Sequence, residues 1–417
     1  MIGASFRKRL LAGDISTAEE HLFTFFVSLL CMIVYIASDV FLPSLPEMSF
    51  YFKTTLALSQ SVISIYMIGL SSTQIIHGLL ADRFGKKNML LIVLPIFLGT
   101  TLGCILAPTL HVLVLCRFFQ AVSASACVVI GRTIFYDLFD PYRAQRAFSV
   151  LIPLVSLSPA IAPSIGGFLA IAFDWRASFV FVLVFALVVS AFVVFYLPES
   201  KPPEKRTTSI HIKTVFQSTL CMLRNISFIK SIHVLFMATL MWWYSVAGAP
   251  IMFHNLGLSK EMVGLLYFPA VIPYILAAFI ARRKLKIKKP EDIYQKGVKL
   301  LVVSAFVLPL GVLTHQLNLL YVVLATLLIS FSNGFIISMS MAAGISLYRN
   351  QTGLASGLLG TFQLLSGALA SILVGFAGAQ FNINYFAWYV FVSTMICYLI
   401  YLLISYFCKR QVRAKSL

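Results

Sequence analysis

The sequence predicts an all-α integral membrane protein: twelve transmembrane helices in two six-helix bundles, with both termini cytoplasmic. Three observations predict it. Of 417 residues, 60% are hydrophobic and 11% charged, where a soluble domain carries roughly 25% charged residues. Apolar runs recur at about 20 residues, the length a helix needs to cross a ~30 Å hydrocarbon core. The basic residues collect on alternate sides of those runs, as the positive-inside rule requires.

The spans fall at 22–43, 59–80, 89–108, 111–137, 147–172, 176–197, 229–254, 261–282, 298–315, 317–346, 353–380 and 383–407. Span nine is the least marked, and its edge with span ten rests on the polar turn His315-Gln316-Leu317-Asn318. With the N-terminus inside, 27 of the 32 Lys and Arg are cytoplasmic. Three are external, Lys53, Arg176 and Lys260, and Arg117 and Arg132 lie within span four. The Pro-rich, charged segment 198–228 divides the chain into bundles at 1–197 and 229–417. A net charge of +18 on a soluble protein would suggest nucleic acid; placed between apolar runs it sets topology, and no nucleic-acid partner is expected. The seven cysteines include no CxxC and read as small buried hydrophobes. No cleavable signal is expected, because the first run begins near Leu22 without a small-residue cleavage pattern.

In chain order, the first chemical feature is Ser38-Asp39-Val-Phe-Leu-Pro43-Ser-Leu-Pro46, at the outer end of span one. Asp39 is the one acidic residue deep in a span. A charged Asp at the bilayer centre costs about 2.5–3.5 kcal/mol, so Asp39 is a candidate proton carrier; the alternative is a helix cap ahead of Pro43. Span two carries Gln74 and His77. The loop that follows reads Gly78-Leu-Leu-Ala-Asp82-Arg83-Phe-Gly85-Lys86-Lys87, where glycines permit a tight turn and close helix approach. Span four holds Arg117-Phe-Phe-Gln120, about 9 Å in from its outer end. Asp39 stands about 6 Å in from the outer end of span one, so depth permits the two charges to meet; the alternative is an Arg that snorkels to the outer headgroups. Arg132 and Asp137, near the inner end of span four, read as structural.

Span five contains Ser158-Pro159-Ala-Ile-Ala162-Pro163-Ser-Ile-Gly166-Gly167, a proline bend with small residues for close packing. Asp174-Trp175-Arg176 precedes span six. In the second half Trp243, Tyr267, Tyr274, Asn333 and Gln363 are intramembrane groups able to line a cavity, with Gln74 and Gln120 as counterparts in the first half. No catalytic constellation, Walker loop or metal-spaced cluster occurs, so neither enzyme chemistry, a metal nor a cofactor is expected.

These motifs resemble the major facilitator superfamily. The Gly78–Lys87 loop is similar to its G-x-x-x-D-R-x-G-R/K-R/K signature, and Arg117 to Gln120 to its R-x-x-Q-G motif with Ala121 as the last residue. Pro163, Gly166 and Gly167 match the antiporter motif G-x-x-x-G-P-x-x-G-G, with Ala162 and Pro159 at two of its glycines. The double proline, the Asp39–Pro46 segment and Asp174-Trp175-Arg176 resemble the bicyclomycin-resistance-like (Bcr/CflA) branch of drug:proton antiporters. The resemblance implies the major facilitator fold and a monomer in the inner membrane. It also implies proton-coupled export of small, partly apolar compounds by alternating access. Asp39 would take a proton facing outward and release it facing inward, with Arg117 favouring the deprotonated form. The 78–87 loop would be a conformational latch, paired through Arg83 to Asp137. A siderophore or metabolite exporter, or a proton-symport importer, fits the same residues; Asp39 and the latch argue against a non-transporting receptor.

Overall fold

The structure, a computed structural model, describes residues 2–139, 141–200, 212–255, 266, 268–285, 287–314, 318–348, 352–378 and 383–415. The side chains of Asp82 and Pro159 lie outside the described set, as does Tyr267. Among the described residues everything regular is helical. The helices are α1 Ile2–Ala12, α2 Thr17–Asp39, α3 Leu45–Tyr51, α4 Leu56–Ser59, α5 Ser61–Phe84, α6 Lys86–Ile105, α7 Leu110–Leu138, α8 Pro141–Ala172, α9 Arg176–Phe195, α10 Ile212–Arg224, α11 Ile226–Asn255, α12 Phe268–Lys284, α13 Pro290–Ala305, α14 Val307–Leu313, α15 Leu319–Ser346, α16 Thr352–Gly378 and α17 Ile383–Lys415. Among the described residues, ten helical stretches are long and apolar enough to cross a membrane.

Local chemistry fixes the boundaries. Span one starts earlier than its apolar run because Ser16 and Glu19 form a capping box: Ser16 Oγ accepts from Glu19 N, and the Glu19 carboxylate accepts from Ser16 N at 2.9 Å. It ends at Asp39 because Pro43 has no N–H to offer the Asp39 carbonyl. Thr109 caps α7 and Asn318 caps α15 through their side chains. Span nine differs most from expectation. It begins at Pro290 and divides into α13 and α14, because Pro309 leaves the Ala305 carbonyl without its helical donor. The linker adds a helix, α10, that apolar periodicity over long windows did not mark.

Packing repeats between the first and second halves. In the first, α7 packs on α5, α6 and α2, and α2 packs on α8 and α9. In the second, α15 packs on α12, α13 and α11, and α11 packs on α16 and α17. The halves meet mainly through α4 and α5 against α16 and through α8 against α12. Apolar side chains remain exposed on α6, α9 and α17, such as Ile92, Val188 and Leu403, as expected where lipid replaces water.

Candidate functional site

Asp39 is buried at the end of α2 and 1% exposed. Ser38 Oγ donates to its carboxylate and also lies 2.9 Å from the Tyr35 carbonyl. The next residue, Val40, abuts α8: a Cβ added to Gly166 would collide with the Val40 carbonyl. The glycine of the span-five motif is thus the residue that lets α8 close on the turn carrying Asp39. Pro163 and Gly167 are buried on the same helix.

Arg117 is fully buried in the first half. Its Nη1 donates to the Ala37 carbonyl at 2.9 Å and to Gln120 Oε1 at 2.6 Å, and its Nε donates to the Val62 carbonyl at 3.4 Å. The guanidinium carbon sits 3.9 Å from the Tyr66 ring centroid, 4.6 Å from Phe41 and 5.7 Å from Phe179. Gln120 Nε2 passes the network to Thr101 at 2.7 Å. Carbonyl dipoles and ring faces therefore hold the cation, and it ties α2, α5, α6, α7 and α9 together. Arg117 and Asp39 interact through space, but they form no ion pair within 4.0 Å, and Arg117 Nη2 has no hydrogen-bond partner. Gln120, expected to line a cavity, is 0% exposed and occupied with Arg117 and Thr101. The aromatic box was missed because Tyr66 of α5, Phe179 of α9 and Phe41 of the turn after α2 come from three separate parts of the chain.

The 78–87 loop is anchored at both helix ends it joins. Gly85 has φ +95°, a backbone conformation that L side chains rarely adopt. Lys86 Nζ pairs with Asp137 Oδ2 at 2.7 Å, and Ser200 Oγ donates to the same oxygen at 2.9 Å. Here the structure corrects the expected partner of Asp137. Lys86 is buried and points at α7, whereas Arg83 is exposed and lies over the Phe84 ring. Glu199 accepts from the backbone N–H of Lys86 at 2.9 Å and of Asn88 at 3.3 Å, an anion on the N-terminus of α6. Lys87 Nζ donates to the carbonyls of Val194 at 3.1 Å and Leu197 at 2.7 Å, a cation on the C-terminus of α9. Glu199 was not anticipated; its position just past span six, at the basic end, was the available signal. Gly78 is not a close-contact position, since an added Cβ would meet Val129 at an ordinary 3.7 Å. Gly69 is one: its Cβ would lie 2.8 Å from the Phe118 carbonyl oxygen.

The remaining cavity candidates separate. Gln74 faces Gly360 across the α5–α16 contact between halves. Trp243 is buried against Gly367 within the second half. Gln363 and Tyr274 are half-buried, and the Tyr274 backbone abuts Gly334. Asn333 is 1% exposed, with neither amide atom hydrogen-bonded. On α5 and α7, His77 Nδ1 lies 2.6 Å from Ser125 Oγ, which is also 2.8 Å from Thr73 Oγ1. A cavity of ≈ 860 Å³ opens at the Lys53/His111 end; none of the cavity candidates among the described residues lines it. Among the described residues no cluster of His, Cys, Asp and Glu has metal-binding spacing.

The family model described as Major Facilitator Superfamily matches residues 27–371. The chain belongs to that superfamily. It is a multi-pass membrane transporter, as its relatives are. An uncharacterized major facilitator-type transporter, YdgK of Bacillus subtilis (strain 168), is 28% identical over 370 residues, covering 86% of this chain and 90% of the relative. Multidrug resistance protein MdtL of Vibrio parahaemolyticus is 28% identical over 356 residues, covering 82% and 86%. Multidrug resistance protein D of Escherichia coli (strain K12) is 24% identical over 358 residues, covering 83% and 88%. Among solved structures, a bacterial homolog of the human lysosomal transporter Spinster, inward-facing and unoccupied, aligns with TM-score 0.71 at 12% identity over 95% of this chain and 98% of that one. A D-xylose–proton symporter aligns with TM-score 0.68 at 14% identity over 90% and 97%. At such identities the likeness establishes the major facilitator fold.

Proposed function

We propose that this transporter is a proton-coupled exporter of small, partly apolar compounds, working by alternating access across the inner membrane. The observation that carries the reading is Asp39. It is a buried carboxylate in a span, within electrostatic reach of a fully buried arginine, and the residue after it, Val40, abuts the antiporter-like Gly166. A carboxylate that alternates between two water-exposed sides can load a proton on one and release it on the other. At 100 mV each charge moved inward contributes about 2.3 kcal/mol to the drive. Relatives named for multidrug resistance support the substrate range. The sequence features of the Bcr/CflA branch support placement there.

In this reading the chain has twelve spans in bundles at 1–197 and 229–417, joined by 198–228, with both termini cytoplasmic. The repeated packing of the halves and the charge asymmetry support it. The protein works as a monomer, with the 78–87 loop and Asp137 as its latch and Gln74, Asn333 and Gln363 toward the substrate path. The test is drug accumulation in cells, with and without a proton uncoupler, for wild type and Asp39→Asn. Wild type should lower accumulation until the uncoupler is added. The Asn variant should reach the membrane, because an amide is cheaper to bury than a charge, yet not export. Uncoupler-sensitive export by Asp39→Asn at the wild-type rate would overturn the reading.

A further inference from the structure

Arg132 is a cation within a membrane helix and, among the described residues, has no carboxylate against it. It stands six residues before the end of α7, about 9 Å along the axis. Helical side chains lean toward their helix N-terminus, so its stem runs toward the middle of the bundle, away from the nearer end. There Nη2 meets the Tyr35 hydroxyl of the oppositely directed α2 at 3.4 Å. Tyr35 Oη accepts in this contact, which leaves the phenol's own proton available to a ligand.

Arg132 does not face lipid. At 3.6 residues per turn it falls on the flank of α7 that carries Ala121, Ser125 and Val128, away from the exposed stripe of Val112, Leu115 and Phe119. Gly131 beside it abuts Cys31 of α2, and Ser125 on the same flank holds His77 of α5. Arg132, a part-buried residue, therefore faces the interior between α2 and α5. The ion-paired carboxylates among the described residues have other partners: Glu19 with Arg9, Glu20 with Arg143, Asp137 with Lys86 and Asp174 with Arg176. Asp39, one turn beyond Tyr35, takes its hydrogen bond from Ser38. An intramembrane arginine is costly to keep without an anion, and its planar donors match an oxyanion two at a time.

We propose that Arg132 and Tyr35 form the subsite for the acidic group of an anionic substrate, a carboxylate or similar oxyanion. The inference rests on the transport reading above and narrows its substrate class: partly apolar acids are taken, with Arg132 donating two parallel N–H bonds and the Tyr35 hydroxyl a third.

The test uses purified full-length protein in detergent without phospholipid, with a panel of aromatic carboxylates and their matched carboxamides. Binding is read by ligand-induced thermal stabilisation. Wild type should bind at least one carboxylate at least tenfold tighter than its amide. Arg132→Gln should lose that preference, Arg132→Lys should keep part of it, and Tyr35→Phe should weaken the carboxylate several-fold. Each variant's unliganded melting temperature shows that it is folded. No carboxylate preference in wild type, or an equal preference in Arg132→Gln, overturns the proposal. So does displacement of the carboxylate by phosphatidylglycerol at stoichiometric amounts, which would make the site a lipid site. The two readings fail separately. Uncoupler-sensitive export without carboxylate preference removes this inference alone. Carboxylate preference with uncoupler-insensitive transport removes proton coupling alone.

Discussion

Arg117 and Arg132 lie on the same helix, fifteen residues apart, and the protein treats them differently. Arg117 is 0% exposed and fixed by two backbone carbonyls, a glutamine and three aromatic rings. Arg132 keeps part of its surface open and has one phenol at the limit of hydrogen bonding. A buried cation is tolerated when dipoles and ring faces replace its hydration. One left partly bare is a group kept for something that comes and goes. The first is a structural tie of the first half; the second is available to a ligand.

The comparison can be broken most severely from outside, at Gly166. Gly166→Val would drive a side chain into the Val40 carbonyl and push α8 off the turn that shapes both Asp39 and the Arg117 enclosure. We expect no folded protein in the membrane fraction, measured by size-exclusion of a tagged variant in detergent; a monodisperse wild-type peak would contradict the close contact. Next is Arg117→Ala. It strips donors from Ala37, Val62 and Gln120 and should cost about 3–9 kcal/mol, at ~1–3 kcal/mol for each buried group left unpaired. Arg132→Ala should lie within about 1 kcal/mol of wild type. Thermal melts of the two variants should therefore differ widely, and equal melts would erase the distinction drawn here.

The latch gives a smaller effect of the same kind. Lys86→Ala and Asp137→Asn should each cost about 1.5–3 kcal/mol, since a largely buried, charge-assisted bond is lost. Their double-mutant cycle should show coupling, while Arg83→Ala with Asp137→Asn should show none. A cycle with the opposite result would restore Arg83 as the partner. The smallest expected effect is Gly78→Ala. Its methyl would make an ordinary contact with Val129, so the melting temperature should stay within about 0.5 kcal/mol equivalent. A large loss would mean that this glycine is needed for motion rather than packing.

The fold was legible in the sequence for a simple reason: a bilayer demands long apolar helices and places charge at their ends. The all-helical, membrane-spanning character of the chain and the place of Asp39 at the end of a span needed no coordinates. Even the break at Pro309 follows from a missing N–H, although its consequence for span nine was not drawn from the sequence. What one dimension could not decide was which groups meet. Depth alone allowed Asp39 to pair with Arg117. The tertiary structure instead gave Arg117 carbonyls from α2 and α5 and rings contributed by α5, α9 and the turn after α2. Asp137 had three nearby cations in the same loop, Arg83, Lys86 and Lys87, and it is Lys86, after the positive φ at Gly85, that points toward α7. Arg132 read as structural until the packing placed it on the interior flank with one weak partner. The sequence determined how deep each residue lies, because solvation acts on every residue separately. Partnership depends on helix rotation and neighbour choice, which only the packed bundle sets.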